Sequence, residues 1–361
     1  MKATQRLHDA GQSLWLDNIT RGILSNGTLA RYVREFSITG LTSNPTIFDH
    51  AIRNSADYDA AIRALTAAGK AGEELFFELA LEDLRQAADL FRPAHDLTNR
   101  VDGWVSLELS PTLAYDTAGS VAAAKALHAR GARPNLFIKI PGTREGVPAI
   151  EESIFAGVPI NVTLLFSREQ YVAAAEAYIR GVERRVAAGL NPYVPSVASL
   201  FVSRWDVAVA GKVPAALHEQ LGIAIAKRTY KAYRDLLASD RWLRLLNFGA
   251  RSQRLLWAST GTKDPKAPDV LYVKALAAPH TVNTMPEKTL LGLADHGEIG
   301  PMLPHDGGDA EEVLARFRQA GVDVDALAEQ LQREGAAAFV KSWEDLLACV
   351  AEKSATLRKT G

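Results

Sequence analysis

The sequence predicts an α/β fold in which eight parallel strands close into a (β/α) barrel. Short segments with β-like patterning alternate along the chain with long segments rich in Ala, Leu, Glu and Arg that have helical spacing. The β-like segments are residues 13–18, 36–44, 104–110, 136–141, 159–166, 193–201, 254–260 and 280–285. Strands that alternate with helices in this way are typical of a parallel sheet, and eight of them favour a closed barrel.

Additional helices are expected around this TIM-type barrel. Residues 71–91 and 168–189 show clear helical periodicity, and the intervals after residues 44 and 201 are long enough for extra helices. The last fifty or so residues predict further, C-terminal helices. We therefore expect one barrel domain over residues 1–361. An open, doubly wound sheet is the competing architecture, but no GxGxxG motif follows a strand and no GxxxxGK[ST] motif occurs.

Composition and charge narrow the possible functions. The chain is 47% hydrophobic and 23% charged, as in ordinary soluble globular proteins. A formal net charge of −1 argues against nucleic acid as a main partner, because binding it requires a broad basic surface. The lone cysteine, Cys349, excludes an intramolecular disulfide and fits a reducing compartment. Neither a signal-peptide core nor a membrane-spanning run of about 18 apolar residues is seen, so we expect a cytoplasmic protein.

Alternation within the strands predicts which side chains face the barrel interior. Successive side chains point to opposite faces of a strand, and one of these faces packs on the surrounding helices. The apolar parity consists of Leu14, Leu16, Val105, Leu107, Leu109, Ile138, Ile140, Val162, Leu164 and Phe166. The opposite parity places Asp17, Glu108, Lys139, Asn161 and Thr163 in one interior.

Each of these polar residues, taken singly, also has a purely structural explanation. A lone lysine in an apolar strand is commonly an end residue whose amine reaches solvent, and Glu108 would then be the ion-pair partner of Lys139. Buried charge pairs, however, stabilise a fold little on balance. Five polar groups in phase on several strands therefore favour a catalytic cluster near the carboxyl ends of the strands.

The turn after the second strand reads Thr-Ser-Asn-Pro, residues 42–45. Proline is favoured at the first position of a helix, and hydroxyl side chains are favoured just before it. Thr42 and Ser43 are candidates either to orient the Asn44 turn or to cap a helix that begins after Pro45, and we expect the caps.

Four motifs in this order resemble transaldolase, in the longer-chain branch of that family. They are GLTSNPTIF (40–48), LFIKIPGT (136–143), INVTLLFS (160–167) and NTMPEKTL (283–290). The resemblance implies an α/β barrel without a metal or organic cofactor. It implies transfer of a dihydroxyacetone unit from sedoheptulose 7-phosphate or fructose 6-phosphate to glyceraldehyde 3-phosphate or erythrose 4-phosphate, in the non-oxidative pentose phosphate pathway.

The resemblance also implies catalytic roles. Lys139 matches the lysine that forms a Schiff base with the ketose. Asp17 matches the base that removes the C4 hydroxyl proton, and Glu108 matches the carboxylate that handles protons during imine formation, through a water held by Thr163. Phe137 and the neighbouring strands would provide low-dielectric surroundings that favour the neutral, nucleophilic amine.

The substrate-binding positions implied by the resemblance are Asn44, Asn161, Ser199, Arg204, Ser259 and Lys263. Arg204 matches the family's phosphate-binding arginine. Shorter relatives have another arginine where this chain reads Gly-Thr-Lys, so Lys263 is expected to replace it as a point charge. Arg251 and Arg254 are the alternative, and they would otherwise be solvated charges at the entry of a strand.

Two other functions compete with this reading. One is a class I aldolase, acting on fructose 6-phosphate or a similar sugar, that releases its three-carbon fragment to water. The other is a barrel that binds sugar phosphates without catalysis. The expected partners are sugar-phosphate substrates, and the chain is expected to be a monomer or a homodimer.

Overall fold

Eight parallel strands form a closed barrel in the computed structural model, which describes residues 1–359. The strands are β1 (Ser13–Asp17), β2 (Ile38–Thr42), β3 (Val105–Glu108), β4 (Leu136–Pro141), β5 (Ile160–Leu165), β6 (Ser196–Phe201), β7 (Arg254–Ala258) and β8 (Val282–Met285). Each strand pairs with its sequence neighbours, and β1 closes the ring on β8. The predicted barrel is confirmed, and the open sheet is excluded.

Helices surround the barrel and extend it. They are α1 (Ala3–Asp9), α2 (Arg21–Ser25), α3 (Thr28–Phe36), α4 (Pro45–Arg53), α5 (Asp59–Ala67), α6 (Gly72–Leu97), α7 (Thr117–Gly131), α8 (Gly146–Phe155), α9 (Arg168–Ala187), α10 (Ser203–Val209), α11 (Leu221–Leu237), α12 (Asp240–Asn247), α13 (Leu271–Ala275), α14 (Glu287–His296), α15 (Ala310–Gln319) and α16 (Val324–Lys359). Two short 3-10 turns, Pro111–Leu113 and Ala215–Leu217, lie between them. Within residues 1–359, no helix is both long and apolar enough to cross a bilayer.

The extra helices lie where the sequence predicted them. Three helices, α4 to α6, separate β2 from β3, and three, α10 to α12, separate β6 from β7. The C-terminal prediction corresponds to α15 and α16. The predicted domain runs to residue 361, and its last two positions lie outside the described residues.

Polar caps start several helices directly after strands. The Asn44 side chain accepts a hydrogen bond from the Ile47 amide at the start of α4, and Pro45 takes the first helical position. Ser167 caps α9 in the same way, by accepting from the Gln170 amide. These caps turn the chain sharply at the carboxyl ends of the strands, which is where barrel enzymes place their reactive groups.

The long helix α16 packs across that end of the barrel. It contacts α4, α5, α6 and β5. The Gln332 side-chain amide donates to the carbonyl oxygens of Gly142 and Leu164, at 2.9 Å each. Phe339 lies about two helical turns after Gln332. Its ring packs against that of Phe201, with ring centroids 6.4 Å apart. The helix therefore fixes the loop that follows β4 and the end of β5, and it covers part of the barrel mouth.

Aromatic rings fill the middle of the barrel. Trp104 stacks on Phe137 with centroids 4.1 Å apart, and Trp15 lies 6.2 Å from the same ring. All three side chains are buried. They form an apolar floor under the carboxyl ends of the strands, so the polar groups above that floor lie in low-dielectric surroundings.

Strand β5 contains an irregularity that the alternation did not predict. Its pairing with β6 shifts register between Val162 and Leu165, and Leu164 has a left-handed φ of 58°. Left-handed backbone is uncommon for a residue with a side chain. The bonded Gln332 amide holds the Leu164 carbonyl in this conformation.

Candidate active site

A cavity of about 380 Å³ lies at the carboxyl ends of the strands, beside α16. Eight of the ten predicted site residues line it: Asp17, Asn44, Lys139, Thr163, Ser199, Arg204, Ser259 and Lys263. The other two, Glu108 and Asn161, lie beneath the lining and are hydrogen-bonded to it. The structure thus brings together residues from five strands, β1, β3, β4, β5 and β6, and from the segments that follow β2, β6 and β7.

Lys139 is buried at the floor of this cavity. The strand register pairs it with Glu108 on β3 and with Asn161 on β5. Its Nζ donates to Glu108 Oε2 and to the Ser43 carbonyl oxygen, at 3.1 Å each. Only 6% of Lys139 is exposed, and only 5% of Glu108. Burial raises the pKa of Glu108, and the opposing charge of Lys139 only partly offsets that rise.

Two polar atoms near this pair have no hydrogen-bond partner among the described residues. They are Glu108 Oε1 and Thr163 Oγ1, and both are fully buried. Buried polar atoms are normally paired, so atoms without a protein partner mark where a ligand or solvent group binds. Glu108 Oε1 and Thr163 Oγ1 therefore mark a position for a ligand or solvent group near the Lys139 amine.

Asp17 lies at the end of β1, opposite Lys139. Thr42 donates to Asp17 Oδ1 at 2.7 Å, and the Thr42 hydroxyl is also 2.6 Å from that of Thr284. Burial raises the pKa of Asp17, while the Lys139 charge and the Thr42 hydrogen bond act in the opposite direction. Asp17 and Glu108 are therefore two carboxyls with different partners in one chamber, an arrangement that lets a site separate acid and base roles.

Asn161 supports the cavity wall from below. Its amide nitrogen donates to Ser106 Oγ at 3.1 Å, and its carbonyl oxygen accepts from Ser199 Oγ at 2.7 Å. Ser199 faces the cavity. This chain of bonds links β3, β5 and β6 across the barrel interior and fixes the rotamers of Asn161 and Ser199.

The Asn-Pro turn differs from the expectation about its caps. Asn44 caps α4 through its carbonyl oxygen and also lines the cavity. The prediction that Thr42 and Ser43 cap this helix is wrong. Thr42 binds Asp17 instead, and Ser43 Oγ donates to the Ser106 carbonyl oxygen at 2.8 Å. Both hydroxyls are still within the barrel when the chain turns, so they meet interior partners.

Cationic groups stand on one side of the cavity. The Arg204 guanidinium lies 5.2 Å from the Phe201 ring and 5.8 Å from the Phe339 ring. Burial lowers its pKa, and no carboxylate pairs with it within residues 1–359. Lys263 is exposed at the rim. Ser259, with a left-handed φ of 56°, shares a 2.8 Å hydroxyl contact with Ser203.

The alternative cations lie elsewhere. Arg254 begins β7 and donates to Ser13 Oγ and the Thr281 carbonyl oxygen, at the opposite end of the barrel. Arg251 lies at that end as well. Neither can complete an anion site with Arg204, and the interpretation of Arg254 as a solvated charge is wrong because the residue is buried.

Sequence reasoning missed several contributors. Thr42, Thr284 and Phe339 line the cavity, and the Ser43 carbonyl oxygen accepts from Lys139. Thr42 ends β2 and Thr284 is the last residue but one of β8, as Asp17 ends β1, so position near the strand ends was an available signal. No local pattern indicates that Phe339, in a helix far along the chain, reaches the barrel mouth.

Comparisons with known proteins agree with this geometry. The family model described as Transaldolase/Fructose-6-phosphate aldolase matches residues 14–350. Curated relatives include "Transaldolase" of Arthrobacter sp., 43% identical over 99% of this chain and 98% of its own length. "Transaldolase" of Thermobifida fusca is 45% identical over 97% and 98%, and "Transaldolase 2" of Nostoc sp. is 39% identical over 94% of each. The chain therefore belongs to the transaldolase/fructose-6-phosphate aldolase family.

Proposed function

We propose that the chain is a transaldolase that transfers a dihydroxyacetone unit from a ketose phosphate to an aldose phosphate through a Schiff base on Lys139. One observation carries this proposal: a lysine amine is buried 3.1 Å from a carboxylate, at the carboxyl ends of the strands of a barrel in this family. Sedoheptulose 7-phosphate and fructose 6-phosphate are the donors. Glyceraldehyde 3-phosphate and erythrose 4-phosphate are the acceptors, as in the non-oxidative pentose phosphate pathway.

Imine formation uses the Lys139–Glu108 pair. Passing a proton from the ammonium to the carboxylate leaves a neutral amine, and the raised pKa of Glu108 favours that transfer. The amine attacks the ketose C2 carbonyl and forms a carbinolamine. Loss of its hydroxyl as water needs a proton, which Glu108 returns through a water molecule held between its free oxygen and Thr163.

Carbon–carbon cleavage uses Asp17. The carboxylate removes the proton from the C4 hydroxyl, the C3–C4 electron pair moves into the iminium, and the aldose leaves as an aldehyde. An enamine of dihydroxyacetone stays on Lys139. When the acceptor aldehyde binds, the enamine carbon attacks it and Asp17 returns the proton to the new hydroxyl. Hydrolysis of the iminium then releases the product ketose.

Substrate binding uses the remaining groups of the cavity. Ser199, supported by Asn161, and the free amide nitrogen of Asn44 hold the hydroxyls of the dihydroxyacetone end. Arg204 binds the sugar phosphate through its planar fork, and Lys263, with Ser259, adds charge and a hydroxyl at the rim. An arginine without a carboxylate partner is available for an anion.

Protection of the enamine distinguishes a transferase from an aldolase. The enamine survives until the acceptor arrives only if water is kept from the iminium. Phe339 on α16 and the aromatic floor below Lys139 supply that protection. We also propose a cytoplasmic location, from the lone Cys349 and its expected reducing surroundings, and either a monomer or a homodimer.

Borohydride trapping with fructose 6-phosphate, followed by peptide mass mapping, tests the proposal. We expect a dihydroxyacetone-derived adduct on Lys139. Lys139→Ala should lose the adduct and nearly all turnover, while Lys266→Ala, at an exposed position outside the cavity, should keep both. An adduct on another lysine would show the assignment to be wrong. Transfer to erythrose 4-phosphate without release of free dihydroxyacetone separates the transferase from the aldolase, and sugar binding with no adduct would indicate a non-catalytic barrel.

A further inference from the structure

A second cavity opens at the end of the barrel opposite the candidate active site. Its volume is about 610 Å³, larger than the 380 Å³ of the first cavity. Ser13, Ser196 and Arg254, the first residues of β1, β6 and β7, lie in its wall. We call it the base cavity. It shares no lining residue with the cavity that holds Lys139.

Positive charge is concentrated around the base cavity. Four arginines line it, from three separate segments of the chain: Arg100, Arg234, and the pair Arg251 and Arg254. Within residues 1–359, none of the four forms an ion pair with a carboxylate. Two of them, Arg100 and Arg251, are exposed to solvent at the opening. His280 lines the same cavity; burial lowers its pKa, and the charges of Arg234 and Arg254 lower it further.

One carboxylate, Asp102, lies in the same lining and offsets only part of the arginine charge. Asp102 accepts hydrogen bonds at both oxygens, from the Ser13 hydroxyl, from Thr39 Oγ1 at 2.7 Å and from Trp15 Nε1 at 2.9 Å. It is buried among these donors. Ser13 in turn accepts from Arg254, so Asp102 is linked to that arginine through one hydroxyl and offsets one of the four positive charges. The arginines outnumber this carboxylate, so the lining keeps an excess of positive charge toward the cavity.

The arginines are held in place by the surrounding fold. Arg254 donates to Ser13 Oγ at 2.7 Å and to the Thr281 carbonyl oxygen at 2.8 Å. The Tyr193 ring lies 5.7 Å from the Arg100 guanidinium carbon and 5.8 Å from that of Arg251. The Tyr193 hydroxyl also donates to the Arg100 carbonyl oxygen at 3.1 Å, so the ring braces both exposed arginines.

Bringing four arginines together beside a single carboxylate costs free energy, and a bound anion recovers it. We propose that the base cavity binds a small molecule that carries two or more phosphate groups. Guanidinium groups match phosphate oxygens through paired N–H donors, and four of them suit more than one phosphate. A cavity of about 610 Å³ has the size of a small-molecule site and is too small for a polynucleotide segment.

Titration calorimetry with inorganic pyrophosphate tests this site. The double variant Arg234→Gln/Arg251→Gln removes two cavity charges, and we expect it to weaken pyrophosphate binding by about tenfold or more. The double variant Arg204→Gln/Lys263→Met removes the cations of the other cavity and should keep this binding within about twofold of the parent chain. Arg63→Gln, at an exposed position outside both cavities, is the matched charge control and should change nothing. Inorganic monophosphate should bind more weakly than pyrophosphate to the parent chain.

Three results would overturn the proposal. They are the absence of pyrophosphate binding at about 1 mM, loss of binding in the Arg204→Gln/Lys263→Met variant with retention in the base-cavity variant, and stronger competition by a single-stranded oligonucleotide than by pyrophosphate. The second distinguishes this site from the sugar-phosphate cavity, and none of the three depends on turnover. If the double variant is misfolded by circular dichroism, the single variant Arg251→Gln replaces it, because that side chain is exposed.

Discussion

Lys139 and Glu108 are direct partners in the register of two neighbouring strands, and their side chains meet at 3.1 Å. Residues paired across a parallel ladder point to the same face, so the backbone itself aligns the amine and the carboxylate. This pairing does not depend on a flexible loop. The Lys139–Glu108 pair and Asp17, at the end of β1, nevertheless have different surroundings. Substitutions at Glu108 and at Asp17 should therefore impair different chemical steps.

Replacing the two carboxyls should affect different chemical steps. Glu108→Ala removes the proton partner of Lys139, so imine formation should slow by about a hundredfold or more. Asp17→Ala should leave imine formation in place and slow carbon–carbon cleavage by a similar factor. Rapid-quench borohydride trapping measures the first step, and release of the aldose measures the second. The role assignment is wrong if both variants show one and the same defect.

The hydrogen bond from Thr42 should set the pH dependence of cleavage. It favours the ionised form of Asp17, so Thr42→Val should raise the pKa of that carboxyl further. The base form would then appear at a higher pH, and the acid limb of the kcat/KM profile should move toward alkaline pH. Thr284→Val leaves the Thr42–Asp17 bond in place and is the matched control. Equal shifts in the two variants would contradict this account.

A methyl group at Gly335 should disturb phosphate binding from within α16. A Cβ at this position would lie 3.0 Å from Leu164 Cδ2 and 3.2 Å from Arg204 Nη1. Gly335→Ala gains about 1 kcal/mol of helix propensity, so global stability need not fall. The guanidinium must move, and we expect KM for fructose 6-phosphate to rise by about tenfold with a small change in kcat.

Thermal unfolding and steady-state kinetics on the same preparation check that prediction. Glu334→Ala, at the exposed neighbouring position, is the control and should leave KM unchanged. An unchanged KM in Gly335→Ala would contradict the expectation that displacing Arg204 weakens binding of the substrate phosphate.

Asp206 should make stability depend on pH. Its oxygens accept from the Leu221 and Gly222 amides and from the Tyr272 hydroxyl, and burial raises its pKa to about 6 from 3.8. Between these values the folded chain binds the proton more tightly than the unfolded chain does. The free energy of unfolding should therefore fall as pH rises from about 4 to about 6, by about 3 kcal/mol from this group.

Urea denaturation of Asp206→Asn at several pH values measures that contribution. An asparagine does not titrate, so the difference in unfolding free energy between parent and variant should change across this window and stay constant above about pH 7. Asp9→Asn, at an exposed position, should give a difference that does not follow this pattern. A parent–variant difference independent of pH would contradict the proposed protonation of Asp206.

Much of the architecture was predictable because several strands have an apolar face and a polar face. The resulting alternation of apolar and polar residues can be recognised in one sequence without relatives. The same alternation brought Asp17, Glu108, Lys139 and Thr163 to one chamber. The alternation could not predict contacts between segments that are far apart in the sequence. The left-handed turn at Leu164 depends on a bond from Gln332, 168 positions away.

Polar residues near strand ends were the hardest to assign. Thr42 and Ser43 have the composition of helix caps, but the barrel interior offers them stronger partners before the helix begins. In the sequence, Arg254 looks like a solvated charge at the start of a strand. Only the closed barrel brings it to its hydrogen-bond partners, Ser13 and Thr281. Local propensity is overridden wherever tertiary partners are available.

The pairing of β1 with β8 carries a kinetic consequence. Gln12 bonds Thr281, a partner 269 positions along the chain, at the seam that closes the ring. Contacts between such distant segments form slowly, since the intervening chain must first be ordered. Refolding should thus pass through an unclosed sheet whose first and last strands have free edges, and such edges attract other chains. Dilute conditions during refolding should favour recovery of the native barrel over aggregation.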